Sequence, residues 1–303
     1  MKLLKVIQKL PALAGKVSAA IRKEVQAAKV AYDDFEDVDY ALSAGLWVAG
    51  VAWGLPTLTA LTVLGNQFKV PPDKMQPLYR VYSAIQLGLL GIKLKHHRHP
   101  DILPDQPYFF LQNHINHFDF IACHNTSPHY RQGIELASHF KYPLYGPFMK
   151  SRGTVAVHPG QGGQSERLRE DIRRETDRGR SILGFPEGTR TTDGRVKPFR
   201  KGIFFIARDL GVPIVPTAVT GMFEVMRKGS VMLRPGYEVN VYMDAPIEMA
   251  NLSDEEVLEV MERTYTQIKG YVDAYYAAGK HRQNFLLRRH PQQPADPDAP
   301  PQP

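Results

Sequence analysis

The sequence predicts an α/β protein: a mixed, mostly parallel sheet flanked by helices, preceded by N-terminal membrane-associated helices. Three observations predict it. From Tyr108 onward, short apolar runs alternate with stretches of helical periodicity, the pattern of βα units whose helices cover the faces of a sheet. Upstream, residues 41–65 hold no charged side chain and include Trp47 and Trp53. Upstream of that, residues 1–28 carry an apolar stripe on a basic background.

Taken in order, Leu3, Ile7, Leu10, Ala14, Val17, Ile21, Val25 and Ala28 recur at spacings of three and four, while seven Lys and Arg fill much of the remainder. A basic amphipathic helix of this kind suits an anionic membrane surface, or packing on the protein's own body. Residues 41–65 exceed the roughly 20 residues needed to cross a hydrocarbon core. Pro56 and several glycines interrupt the run, so the residues allow a spanning helix, a broken helical hairpin dipping into one leaflet, or an apolar helix capping a soluble core. Residues 75–95 read as a helix leading into an edge strand, and His96-His97-Arg98-His99-Pro100 as a solvated basic turn. No Cys or carboxylate at a recognisable spacing completes a metal site there.

Strands are then expected at 108–112, 134–138, 154–157, 181–185, 214–219 and 237–243, and helices at 117–125, 164–178 and 201–210. The last helix opens with a capping box, Ser253-Asp254-Glu255-Glu256, with Leu252 and Val257 as a hydrophobic staple, and ends near Ala278-Gly279. The resulting division is 1–70 for the membrane-associated segment, 71–285 for the α/β domain, and 286–303 for a Pro-rich tail expected to be disordered.

The chain has 303 residues, of which 43% are hydrophobic and 23% charged, the balance of a globular protein. Its net charge of +7 fits an anionic partner. The basic residues gather in the amphipathic stripe and around 185–201 rather than in a stripe with exposed aromatics, which argues against nucleic acid. A single cysteine, Cys123, rules out an internal disulfide framework and a Cys-based zinc site.

Two segments carry the chemistry. The first, Asn113-His114-Ile115-Asn116-His117-Phe118-Asp119, leaves the apolar run 108–111. Five residues along one helix is about 500°, which would turn His114 and Asp119 roughly 140° apart. With His114 in the turn before a helix and Asp119 in its first turn, the two can meet, and Asp119 can orient the imidazole as a base. The second, Phe185-Pro186-Glu187-Gly188-Thr189-Arg190, leaves the strand at 181–185, at the C-terminal edge where open α/β sheets bind ligands. Arg190 offers a planar fork for phosphate, and Glu187 a carboxylate to fix that fork or a substrate hydroxyl. Lys197, Arg200 and Lys201 extend the positive surface. No Gly-x-Ser-x-Gly elbow of a serine hydrolase is present.

These two segments, with Lys201-Gly202 and Val212-Pro213-Ile214-Val215-Pro216, resemble the glycerolipid acyltransferase family of 1-acylglycerol-3-phosphate acyltransferases. The resemblance covers roughly residues 85–250. It implies a glycerol-3-phosphate acyltransferase-like core, with His114 as general base, Asp119 as its orienting partner, and Glu187, Gly188, Thr189, Arg190 and Lys201 in the acceptor site. It also implies acyl-CoA or acyl-carrier protein as co-substrate, no cofactor and no metal. The acceptor would be a lysophospholipid, and the location a membrane, at its cytoplasmic face. Two departures stand out. Asn116 takes the place of a usual Ser. Pro159 takes the place of the Arg that ends the family's second block, leaving Lys150, Arg152, His158 or Arg167 as substitutes. The second departure keeps open another lipid acceptor, a lyso-aminolipid or glycolipid. Beyond these stands a membrane lipid-binding protein with a degenerate site.

Overall fold

The computed structural model describes residues 39–158 and 164–286; the amphipathic stripe at 1–28, Pro159 and the tail beyond Leu286 lie outside them. Seven strands form one sheet: β1 (Lys93–Arg98), β2 (Phe109–Gln112), β3 (Arg131–Leu136), β4 (Val155–Val157), β5 (Ser181–Gly184), β6 (Ile214–Thr220) and β7 (Glu238–Met243). Their spatial order is β1-β7-β6-β2-β5-β3-β4. The pairs β6·β2, β2·β5, β5·β3 and β3·β4 are parallel, and so is β1·β7; β6·β7 alone is antiparallel. The expected mixed, mostly parallel sheet is therefore present.

Strand β2 lies at the centre because every one of its side chains is buried, as a strand covered on both faces requires. Tyr108 and Phe110 point into one core with Leu183, Val215 and Val219. Phe109 and Leu111 point into the other with Ile182, Ile214 and Phe204. The period-two alternation of a pleated strand thus feeds two layers. The first layer is roofed by α1 (Tyr40–Asn66), α2 (Gln76–Leu89), the single turn α3 (Asp119–Cys123) and α4 (Tyr145–Ser151). The second is roofed by α5 (Gln164–Thr176), α6 (Gly202–Leu210) and α8 (Asp254–Ala277). The short α7 (Met222–Val225) follows β6. The capping box of α8 is formed as expected, with Ser253 and Glu256 bonded reciprocally.

Helix α1 corrects one of the alternatives for residues 41–65. It runs unbroken for 27 residues through Pro56, about 40 Å at 1.5 Å per residue, and forms no hairpin. Its threonine hydroxyls are satisfied within the helix: those of Thr57, Thr59 and Thr62 donate to the carbonyls of Trp53, Leu55 and Leu58. Such internal pairing is what an apolar solvent demands. Gly50 and Gly54 let α2 come close; a Cβ on Gly50 would sit 2.9 Å from the Gln86 amide nitrogen. One side of α1 therefore packs on the protein, burying Ser43, Gly54 and Leu61. The other exposes Leu42, Val48, Val51, Leu55 and Val63, and α2 exposes Leu78, Val81 and Ile85 beside it. Only 11% of the most apolar stretch of α1 is buried. A core helix would be covered; this pair presents a contiguous apolar face of the kind that a bilayer covers.

A second correction concerns the three histidines. His96 and His97 do not form a turn; they belong to β1, which pairs along its whole length with β7. His97 stacks on Tyr242 with ring centroids 4.6 Å apart and bonds Asn240. The edge strand extends this far because alternate residues find partners on β7, a tertiary effect that outweighs the polar composition. Among the described residues, no group of His, Cys, Asp or Glu is arranged to hold a metal ion.

Candidate active site

Adjacent strands bring the two motif segments together. Leu111 of β2 lies opposite Gly184 of β5 in parallel register, so the chain leaves both strands at the same edge, side by side. After β2 the chain crosses to β3, on one side; after β5 it crosses through α6 to β6, on the other. The gap between such diverging connections is where open α/β sheets hold ligands.

His114 sits in the turn and Asp119 opens α3, and their side chains meet: Nδ1 of His114 is 2.8 Å from Oδ2 of Asp119. The same oxygen accepts the backbone N–H groups of Ile115, at 2.7 Å, and Asn116, at 3.1 Å. With Oδ2 already accepting two backbone N–H groups, the contact with His114 is a hydrogen bond when Nδ1 carries the ring proton, the tautomer that leaves Nε2 with a lone pair. Asp119 is buried, whereas the His114 side chain keeps 25% of its exposure, so the base faces out and its partner does not. The imidazole also stacks on Phe185, centroid to centroid 3.9 Å. That contact and the carboxylate together fix the ring's plane.

Two asparagines hold the turn. Asn113 donates to Val219 O and accepts from Val219 N–H, a side-chain copy of a strand pair with β6. Asn116 donates to Met222 O and Met226 O and accepts from Phe118 N–H. The amide makes three bonds, of which a Ser hydroxyl in its place could donate only one. Neither role was visible in the sequence, because the partners stand more than a hundred residues away.

Glu187 is placed differently from the expected fork or substrate contact. It is buried, with Oε1 accepting His114 N–H at 2.8 Å and Oε2 accepting Lys197 N–H at 2.9 Å. Burial pushes its carboxyl above the usual range while those two N–H groups pull it back. It ties the base-bearing turn to the downstream loop. Thr191 N–H adds a parallel tie to His114 O. Gly188 adopts φ +70°, and a Cβ there would lie 2.8 Å from Nε of Arg200; only glycine gives both the left-handed turn and the close approach.

The Arg190 fork is instead met by His117, with Nη1 donating to Nε2 at 2.8 Å. Burial first, and Arg190 second, depress the His117 pKa, consistent with an imidazole that accepts. Thr189 is exposed beside it, and Lys197 Nζ donates to Arg190 O at 2.8 Å. Lys201 is exposed at the start of α6, its ammonium 5.9 Å from the Phe205 ring. Of the substitutes for the missing Arg, Arg152 is buried against His124 Nε2 and the faces of Tyr79, Phe120, Tyr130 and Phe148, and so does not face a substrate. Lys150, His158 and Arg167 are exposed. The buried Cys123 is a free thiol.

The chain is similar to known proteins in sequence and in fold. Residues 93–220 match the family model described as Acyltransferase. A 1-acyl-sn-glycerol-3-phosphate acyltransferase of Limnanthes douglasii is 28% identical over 194 residues, 62% of this chain and 65% of that protein. The chloroplastic 1-acyl-sn-glycerol-3-phosphate acyltransferase BAT2 of Brassica napus is 31% identical over 143 residues, 47% of this chain and 41% of that protein. The chain thus spans less than two thirds of the length of either relative. The crystal structure of the 1-acyl-sn-glycerophosphate (LPA) acyltransferase PlsC from Thermotoga maritima superposes with a TM-score of 0.64 at 20% identity, covering 78% of this chain and 95% of that one. The last match is a likeness of fold.

Proposed function

From the match of residues 93–220 to the acyltransferase family model, we propose that the chain transfers an acyl chain from an acyl thioester to the hydroxyl of a lysophospholipid. The acceptor we propose is 1-acylglycerol 3-phosphate, and the product phosphatidic acid. The observation that carries the reading is the His114–Asp119 pair, 2.8 Å apart, with the carboxylate buried and the imidazole part-exposed.

In this reaction Nε2 of His114 takes the proton of the acceptor hydroxyl as its oxygen attacks the thioester carbonyl. The C–O bond forms, and a tetrahedral oxyanion follows. On collapse the C–S bond breaks, and the imidazolium returns its proton to the departing thiolate. Asp119 holds the ring in the tautomer that can accept, and its charge favours the transient imidazolium. The acyl group passes directly between substrates, so no nucleophilic Ser or Cys is needed. Acyl-CoA or acyl-carrier protein serves as donor, and the bilayer supplies the acceptor, with α1 and α2 resting their apolar face in it. Because acyl thioesters are made in the cytoplasm, we place the active site at the cytoplasmic face of the membrane.

A panel assay tests the reading. The purified protein in detergent is given oleoyl-CoA or oleoyl-carrier protein with lysophosphatidic acid, lyso-aminolipids and glycolipids, following thiol release and product mass. Phosphatidic acid formed fastest from lysophosphatidic acid supports it. Faster acylation of a lyso-aminolipid or glycolipid would replace the acceptor, as Pro159 in the second block would suggest. No transfer to any acceptor would leave the lipid-binding alternative.

A further inference from the structure

The loop after α7 brings a lysine into the site from a part of the chain that no motif marks. Lys228 Nζ donates to Arg190 O at 3.3 Å, the same carbonyl that Lys197 Nζ reaches at 2.8 Å. Two ammonium groups thus meet on one carbonyl oxygen beside the Arg190 guanidinium, which is itself held by neutral His117. Among the described residues, none of these three cations forms an ion pair with a carboxylate. Glu187 has both oxygens on backbone N–H groups, and Asp193 Oδ1 accepts the Thr191 hydroxyl and the Arg195 N–H. Desolvation, then Lys197 and then Arg190, hold the Lys228 pKa below its usual value. The three gathered positive charges repel one another, and an anion resting among them relieves the repulsion.

The loop is also fastened to the membrane-associated helix. Three residues past Lys228, Trp47 Nε1 of α1 donates to Val231 O, and Leu233 N–H donates to Ser43 Oγ of α1 at 2.9 Å. Ser43 and Trp47 lie in the first two turns of α1, with Tyr40 exposed at its start. Trp and Tyr at the end of an apolar helix favour the headgroup level of a bilayer. The anchorage therefore sets the three cations at the depth where lipid phosphates lie.

Resting on the acyltransferase reading, we propose that Lys228, with Lys197 and Arg190, grips the phosphate of the lipid acceptor, supplying the cation that the second block lacks at Pro159. Lys228 is thereby a specificity-determining residue for a phosphomonoester headgroup.

The test is steady-state kinetics of Lys228→Met, which keeps the length of the chain and removes its charge, and of Lys228→Arg. The proposal expects the KM for lysophosphatidic acid to rise about ten- to a hundredfold in Lys228→Met, the worth of one charge-assisted hydrogen bond. The KM for acyl-CoA, which also carries phosphates, stays within about twofold, and Lys228→Arg recovers most of the loss. A rise in the donor KM instead would assign the cations to the nucleotide of the thioester and overturn the proposal. So would an unchanged acceptor KM, or an equal loss in both variants, which a disturbed loop would give. A second measurement needs no turnover: calorimetric titration with glycerol 3-phosphate. Binding weakened at least tenfold by Lys228→Met supports the phosphate site, and equal binding by the two proteins overturns it. If the unsubstituted protein transfers no acyl group yet loses glycerol 3-phosphate binding on Lys228→Met, the acyltransferase reading fails and the phosphate site stands.

Discussion

Oδ2 of Asp119 receives the Nδ1 proton of His114 at 2.8 Å and two backbone N–H groups of the same turn. One carboxylate oxygen therefore folds the turn and orients the base at once. Asp119→Asn keeps the shape but loses the charge, and its amide can present a donor to groups that are themselves donors. The expected outcome is a fall in kcat of about 10²–10⁴-fold, the contribution of a positioned general base, with a smaller change in KM. Single-turnover transfer from labelled acyl-CoA measures it. A variant with more than a tenth of the original rate would show that Asp119 does not govern the base.

Glu187 ties the His114 turn to Lys197 through two backbone N–H bonds. Glu187→Gln can satisfy one of them and faces the other with a donor. Leaving a buried donor unmet costs about 1–3 kcal/mol, so the thermal midpoint in detergent should drop. Activity should fall through displacement of the imidazole, with kcat moving more than the acceptor KM. A raised KM alone would mean that Glu187 touches the acceptor.

Glu224 lies on α7 next to the carbonyls that hold Asn116, and accepts the hydroxyls of Tyr275 and Tyr276. Burial raises its pKa. A raised folded value means that the native protein holds the proton more tightly than the unfolded chain, whose Glu titrates near about 4.3. Its contribution to stability is then full below that value and is lost as pH rises through the folded pKa. Glu224→Gln keeps an acceptor for the tyrosines and does not titrate. The midpoint of the variant minus that of the parent should grow from pH 4 to pH 8; a flat difference would place the carboxylate in a better-solvated setting.

Val48 and Val51 are exposed on the bilayer-suited face of α1, at 71% and 52%. Replacing both by Lys disturbs no interior contact yet costs about 2.5–3.5 kcal/mol per residue at the centre of a bilayer. In vesicle flotation at high salt, which screens the basic residues upstream, Val48→Lys/Val51→Lys should leave the lipid fraction. Unchanged flotation would show that α1 is not the attachment.

Much of this fold could be read from local pattern. The strands β2, β5, β6 and β7 fall within two residues of their expected bounds, since fully buried or alternating strands announce themselves by apolar content and period. The meeting of His114 with Asp119 followed from placing one in a turn and the other in a first helical turn. Long-range partners were harder. Residues 41–65 left a hairpin open because Pro56 and the glycines are local breakers, whereas the helix runs unbroken with α2 packed close to Gly50 and Gly54. His97 reads as a loop residue until Tyr242 and Asn240 of β7 are beside it. Arg152, a plausible surface cation in sequence, is enclosed by aromatic faces. Lys228 carries no motif, and only the fold brings it to Arg190.

The central claim is that His114 is the base of an acyl transfer, and the most direct measurement is phosphatidic acid formation from labelled oleoyl-CoA and lysophosphatidic acid by His114→Ala. The imidazole is partly exposed, and its ring makes few contacts beyond Phe185 and Asp119, so the variant should fold and float with vesicles as the parent does. The account predicts a loss of at least about 10²-fold in kcat, the lower bound for a general base. A folded His114→Ala protein forming phosphatidic acid at the parent rate would contradict it.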